Sequence, residues 1–307
     1  MGPVDHYVEE RLAPFGQLVV CPDRDSQLER APYAIAIIAR GASVVDAELI
    51  GAACQLRVIG RTGVGVELID LEAATKRGIP VVVTPGSAAQ AVAEATIAMV
   101  LLLVKRMRPL DAVVREGRWE EREQVIPGDL EGSVLGIIGL GRIGSRVAKL
   151  ASAFGAKVIA YDPARPANPS SAEPTMVELD DLLRQSEVIC LHAPLTSATR
   201  RIIDRRAVAL LQPGAIIVNA ARGGLVDLDA LYEALAEGRV AGVGLDVYDE
   251  EPPSDHPLFH HPDVALSPHV FGLSARARKE TFRAMADGVA AVLEGDRPAA
   301  VANPEVF

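Results

Sequence analysis

Three residue types suited to acid–base and anion chemistry stand just past three apolar runs in the second half of the chain. Arg222 follows "AIIVN" (215–219) and is flanked by Ala220, Ala221, Gly223 and Gly224. Asp246 closes "GLD", and Glu251 follows it in the loop "YDEEPP". His269 comes after "DVALS" (263–267). An imidazole is the usual proton donor or acceptor near neutral pH. A neighbouring carboxylate stabilises its charged form, and a guanidinium holds an anion or polarises a carbonyl. The small neighbours of Arg222 let a ligand come close to it. Each residue also has a plainer reading. Arg222 fits a tight surface turn, and Glu251 before Pro252 and Pro253 fits a solvated one. His269 fits a loop, as do His192, His256, His260 and His261.

The chemistry requires that these runs be strands of one sheet. From residue 134 onward, apolar runs at 134–138, 157–161, 188–192, 215–219, 242–247 and 263–267 alternate with helix-like segments at 142–154, 178–186, 204–211 and 229–237. Pro213-Gly214 and Glu237-Gly238 stop the helices. Short runs buried on both faces, alternating with helices, indicate a parallel sheet covered on both sides. The first part repeats the idea on a smaller scale, with strands expected at 17–21, 34–39, 57–60 and 80–84 and helices at 5–13, 46–53 and 71–77. A long helix near 90–105 leads out of this part, and another at 274–294 leads back. The expected architecture is α/β, with two doubly wound parallel-sheet domains. A six-stranded Rossmann domain (95–274) is inserted into a smaller flavodoxin-like domain (1–94 and 275–307), and a cleft would lie between them.

The first run of the larger domain leads into "GLGRIG". Gly139, Gly141 and Gly144 have the spacing G-x-G-x-x-G between a strand and a helix. The first glycine permits a tight turn, the second lets the backbone approach a pyrophosphate, and the third lets helix and strand pack closely. An ordinary strand–helix turn would also carry glycines. The next strand ends at Asp162, 18 residues after Gly144, where an acid would bind ribose hydroxyls. A 2′-phosphate there would meet a like charge, costing on the order of 4 kcal/mol at contact with an effective dielectric near 20. NAD is therefore favoured over NADP, unless Arg165 compensates.

Composition narrows the class. The chain has 307 residues, 49% of them hydrophobic, and a net charge of −10. That is more than one core usually holds. An acidic chain without a basic cluster is a poor candidate for nucleic acid or anionic membrane. Cys21, Cys54 and Cys190 fit no zinc spacing, so no metal is expected, and their odd number argues against a disulfide framework. A reducing cytoplasm suits them. The start, "MGPVDHYVEE", is no signal peptide, and His6 stands where a myristoylation motif needs Ser or Thr. The apolar run Ala95–Val104, between Glu94 and Lys105, is too short to span a bilayer and reads as a buried helix. Residues 163–174 read as an exposed loop.

Together "GLGRIG", "YDP", "LHAPLT", "NAARGGLVD", "GLDVYDEEPP" and "SPHVFG" resemble the D-isomer-specific 2-hydroxyacid dehydrogenases, and "VIGRTGVGVELIDLEAATKRGIPVVVTPG" extends the resemblance into the first domain. Within that family the chain is most similar to phosphoglycerate dehydrogenases and hydroxypyruvate reductases. The resemblance implies an NAD-dependent enzyme acting on a small 2-hydroxy or 2-keto acid. By it, Arg222 holds the substrate carboxylate and keto oxygen, Glu251 pairs with the imidazole, and His269 is the acid/base. Asp246 would bind the nicotinamide carboxamide, Ala220 and Pro194 would line the cofactor, and Arg142 and Ile143 would sit at the pyrophosphate. The backbone N–H groups of Gly63 and Val64 would receive the carboxylate, with Arg40 entering from the first domain. Residues 98–130, with Trp119 and the apolar helix 95–104, would form a homodimer interface.

The sequence departs from the family in places. A first β-strand reads as shortened or absent, which would expose a sheet edge. Glu67-Leu68 and Ala88 replace the usual Asp-Asn and Asn near the substrate loop, which bears on substrate identity. Three-carbon acids with a small polar tail fit a pocket near Arg40, whereas a phosphate calls for more cations than the sequence places. Formate enzymes carry Gln where Glu251 stands. An NAD-sensing, corepressor-like interaction protein is the alternative of a different class.

Overall fold

The computed structural model describes residues 6–165 and 174–307. Most of the loop expected over 163–174 lies outside the described residues, as does the first residue of the helix expected at 5–13. The chain forms two compact units, Met1–Ala88 with Leu273–Phe307, and Ala89–Gly272.

The first unit runs α1 (His6–Leu12), α2 (Arg24–Arg30), β1 (Ala36–Ala39), α3 (Ala47–Ala52), β2 (Val58–Arg61), α4 (Leu71–Lys76) and β3 (Val81–Val82), and closes with α11 (Ala275–Glu294). Its strands are parallel in the order β1-β2-β3. Alternation sorts the side chains. Val58 and Val82 pack with Phe282, Met285 and Val289 of α11, whereas Ile59 and Val81 pack with Leu49 and Ile50 of α3. Aspartates start the helices: Asp46 accepts from the Leu49 amide at 2.9 Å and Asp70 from the Ala73 amide at 2.8 Å.

Among the described residues this sheet has three strands, not the expected four. Residues 17–21 form no strand, although Val19 and Val20 are β-branched. Such a run becomes a strand only when a partner backbone lies one strand spacing away, about 4.8 Å. Here β1 is the sheet's edge, and a cavity of about 480 Å³, lined by Leu18, Val20, Ile37 and Met285 among others, separates the two segments. Val19 and Val20 are left 51% and 62% exposed.

The second unit contains α5 (Ala89–Val104), α6 (Met107–Arg115), β4 (Val134–Ile138), α7 (Gly144–Ala153), β5 (Lys157–Tyr161), β6 (Thr175–Met176), α8 (Leu179–Gln185), β7 (Val188–Leu191), α9 (Arg205–Leu210), β8 (Ala215–Asn219), α10 (Leu228–Ala236), β9 (Val240–Leu245) and β10 (Val264–Leu266). All strand pairs are parallel, in the order β10-β9-β8-β7-β4-β5-β6. Among the described residues the sheet thus has seven strands rather than six. The two-residue β6 on the edge is too short to show a period in sequence. Burial on both faces explains the unbroken apolar runs. Ile189, Leu191 and Ile217 face the side of α8–α10, while Val188, Cys190 and Val218 face α5 and α7. Order reverses between β4 and β7, the switch point where such sheets bind ligands.

The apolar run 95–104, expected as a buried helix, lies in α5 and packs into the core. Ile97, Val100 and Leu103 of α5 are buried against Leu135, Ile137 and Val218 of its own unit.

Candidate active site

Every site residue expected in the second unit follows the carboxyl end of a strand. Gly139 follows β4 with a φ of +96°, in the left-handed region. A Cβ there would press on the Ala193 amide nitrogen at 2.5 Å, so this glycine permits the close approach of the β4 and β7 loops. At Gly144 a Cβ would strike the Gly139 carbonyl, which only glycine avoids as α7 starts. At Gly141 a Cβ would meet nothing within 4 Å, so the loop is open on that side. Asp162, after β5, is aimed at this loop. Its Oδ2 accepts from the Leu140 amide at 2.9 Å and its Oδ1 from the Ala164 amide at 2.9 Å. A carboxylate so fixed has acceptor capacity left for hydroxyls. A backbone cradle, a helix N-terminus and an oriented acid together fit a dinucleotide. Arg142 and Pro194 are exposed, Ile143 is half-buried, and Ala220 is buried.

The loops after β8, β9 and β10 are tied together. The Asp246 amide donates to Asn219 O at 3.0 Å, and the Ser267 amide to Leu245 O at 2.9 Å, so the ladder continues to the sheet's rim. Beyond it, His269 Nδ1 lies 2.7 Å from Glu251 Oε2, both partly exposed. His269 has a φ of +53°, an unfavourable conformation for a residue with a side chain. Asp246 holds the backbone there. Its Oδ1 accepts from the Ser267 hydroxyl at 2.6 Å and the Val270 amide at 2.9 Å, and its Oδ2 accepts from the Phe271 amide at 3.2 Å. Burial pushes the Asp246 carboxyl above the ordinary value, against these donors and the His269 charge, which lower it. Asp246 therefore braces the histidine loop, a role its place in the sequence did not disclose.

Arg222 joins this group through Asn219. The Asn219 side-chain amide donates to Arg222 O at 2.8 Å, and its Oδ1 accepts from the Ala221 amide at 3.1 Å. Arg222 Nη1 donates to Ala221 O at 2.7 Å. Tyr248 adds a second brace, its hydroxyl donating to Ser267 O at 3.0 Å and its amide to Glu251 Oε1 at 3.2 Å. Asn219, Tyr248 and Ser267 were not singled out in sequence, although each lies inside a motif quoted for its neighbours. The plainer reading holds for His256 and His260, which pair with Asp229 and Asp255.

In the first unit Arg40 follows β1, and Gly63 and Val64 follow β2, at adjacent strand ends. The Gly63 N–H does not point outward as expected. It donates to Arg61 O at 3.0 Å, a consequence of the tight turn at its φ of +141°. Arg61 supports the same loop through Gly65 O at 2.9 Å and Gly41 O at 2.7 Å.

Residues 97–270 match the family described as "D-isomer specific 2-hydroxyacid dehydrogenase, NAD binding domain". The chain is 41% identical to the D-3-phosphoglycerate dehydrogenase of Mycobacterium tuberculosis over 276 residues, covering 90% of this chain and 52% of that protein. It thus spans about half the length of that relative. It is 40% identical to the hydroxypyruvate reductase of Thermotoga maritima over 261 residues, 84% of each chain. The solved structure of the TT0316 protein from Thermus thermophilus superposes with a TM-score of 0.88 at 35% identity, covering 98% of this chain and 97% of that one.

Proposed function

The chain belongs to the D-isomer-specific 2-hydroxyacid dehydrogenases, and from that premise we propose that it interconverts a small 2-keto acid and its D-2-hydroxy acid with NAD(H). The second unit is the NAD-binding domain and the first the substrate-binding domain. The observation that carries the reading is the 2.7 Å pairing of His269, on the loop after β10 that Asp246 clamps, with Glu251 after β9, the neighbour of the strand β8 that leads to Arg222.

The glycine loop and Asp162 would hold NADH, which would supply the hydride for the keto carbon. The chain's own residues supply the rest. Arg222 binds the substrate carboxylate and keto oxygen and draws electron density toward that oxygen. His269 gives the new alkoxide a proton from Nε2, the ring nitrogen not turned to Glu251. Glu251 fixes the ring's orientation and tautomer and stabilises its charged form. One proton enters with each hydride, and both leave together in the reverse direction. Asp246 keeps the His269 backbone in place, and Asp162 selects the unphosphorylated ribose.

Two coarser readings accompany this one. The acidic chain and its free cysteines suit a reducing cytoplasm, and no helix among the described residues is long and apolar enough to cross a membrane. A homodimer is supported by the exposed arm that includes α6.

Steady-state oxidation of NADH with hydroxypyruvate, glyoxylate, pyruvate and 2-oxoglutarate tests the activity. His269→Ala is expected to lower turnover by roughly 10²–10⁴ while NADH still binds. Wild-type-like turnover in that variant removes His269 from the mechanism.

A further inference from the structure

Resting on the reading above, we propose that Tyr248 is a positioning residue for the reaction: acting on the carbonyl of Ser267, its hydroxyl sets how His269 meets Glu251. Tyr248 stands between Asp246, just past β9, and Glu251. Its amide donates to Glu251 Oε1 at 3.2 Å, and its hydroxyl donates to Ser267 O at 3.0 Å. Ser267 lies two residues before His269, so one residue grips both sides of the 2.7 Å pair, with its backbone on one side and its ring tip on the other. Asp246 acts differently. It ties Ser267, Val270 and Phe271 to the end of β9, which fixes the histidine loop and leaves its distance to Glu251 open.

The surroundings hold Tyr248 still. Its ring meets the Phe259 ring edge-on, with 5.6 Å between centroids and 86° between planes. Both rings pack against the core cluster that contains Leu245 and Leu258. Burial raises the pKa of the Tyr248 hydroxyl above its ordinary value, and the Asp246 and Glu251 charges add to this, so the group stays protonated and donating. The Tyr248–Asp249 peptide beds on Gly223, where a Cβ would collide with it. Gly223 directly follows Arg222. Glycine at 223 thus permits the close approach of the loops after β8 and β9, and the residue that grips Glu251 and the His269 loop also abuts the neighbour of Arg222. A phenylalanine would fill the same space. The hydroxyl adds what that ring lacks, a donor to Ser267 O.

Tyr248→Phe keeps the ring and removes only the anchor, so it is compatible with folding. The test measures NADH oxidation in the wild type, Tyr248→Phe, His269→Ala and the double variant, with whichever of hydroxypyruvate, glyoxylate, pyruvate and 2-oxoglutarate the wild type turns over fastest. The two proteins lacking His269 are followed by single turnover at high protein concentration. Tyr248→Phe should lower kcat about 10-fold, the worth of one hydrogen bond, with the KM for NADH unchanged. On the His269→Ala background the same substitution should leave the rate within about twofold, because the imidazole it positions is gone. A purely structural role would depress the rate equally on both backgrounds. An unchanged kcat in Tyr248→Phe, or an equal loss with and without His269, overturns the positioning role while leaving the dehydrogenase reading intact. Absence of NADH oxidation by the wild type with every acid overturns both.

Discussion

His192 shows what a single buried group does to the stability of this fold. Both of its ring nitrogens are buried without a hydrogen-bond partner among the described residues, and burial lowers its pKa from 6.5 to about 4. Between those values the unfolded chain takes up a proton at His192 that the folded chain refuses. The stability tied to this residue is complete above pH 6.5 and is lost as pH falls toward 4, by about 3 kcal/mol in all. Urea unfolding across this range should show a shallower loss in His192→Phe than in the wild type. Parallel curves would place the titration elsewhere. At this scale the sequence disclosed the chemistry and not the support. Arg222, Glu251, His269 and Asp162 could be picked out because each follows an apolar run. The bracing by Asp246 could not, since it depends on a loop returning 24 residues later to donate the Val270 amide. Nor could the turn that occupies the Gly63 N–H.

At the scale of elements, the stretch from α6 through the short helical turn Trp119–Gln124 to Ile126 gathers exposed apolar side chains of the second unit. Met107, Val114, Trp119 and Ile126 are 54%, 62%, 57% and 76% exposed, and α6 buries only Val113. Apolar surface gathered on one arm marks an interaction site, and closed two-fold pairing is the common outcome for such a patch. Light scattering should give twice the 32.5 kDa chain mass, and Trp119→Asp should shift it toward the single mass. A wild-type mass of one chain would contradict the dimer. The neighbouring α5 is buried in its own unit, as its unbroken apolar run indicated. At residues 17–21, by contrast, strand propensity was legible, while the missing neighbour that would have made it a strand was not. The long buried runs of β4, β5, β7 and β8 were legible because both faces are covered, so the signal survives without alternation.

For the whole molecule, glycine loop and strand-end residues support the proposed account, hydride transfer to the keto carbon of a 2-keto acid with His269 supplying the proton. Family membership came from ordered motifs spread along the chain, whereas the placing of Arg40 and Arg278 against one ring is something only folding shows. The most direct measurement is the fate of the label when NADH deuterated at the transferring position of C4 is incubated with the protein and a 2-keto acid. The account predicts one deuterium at C2 of a D-2-hydroxy acid. A labelled cofactor left intact with every acid tried, or a product bearing no deuterium at C2, would contradict it.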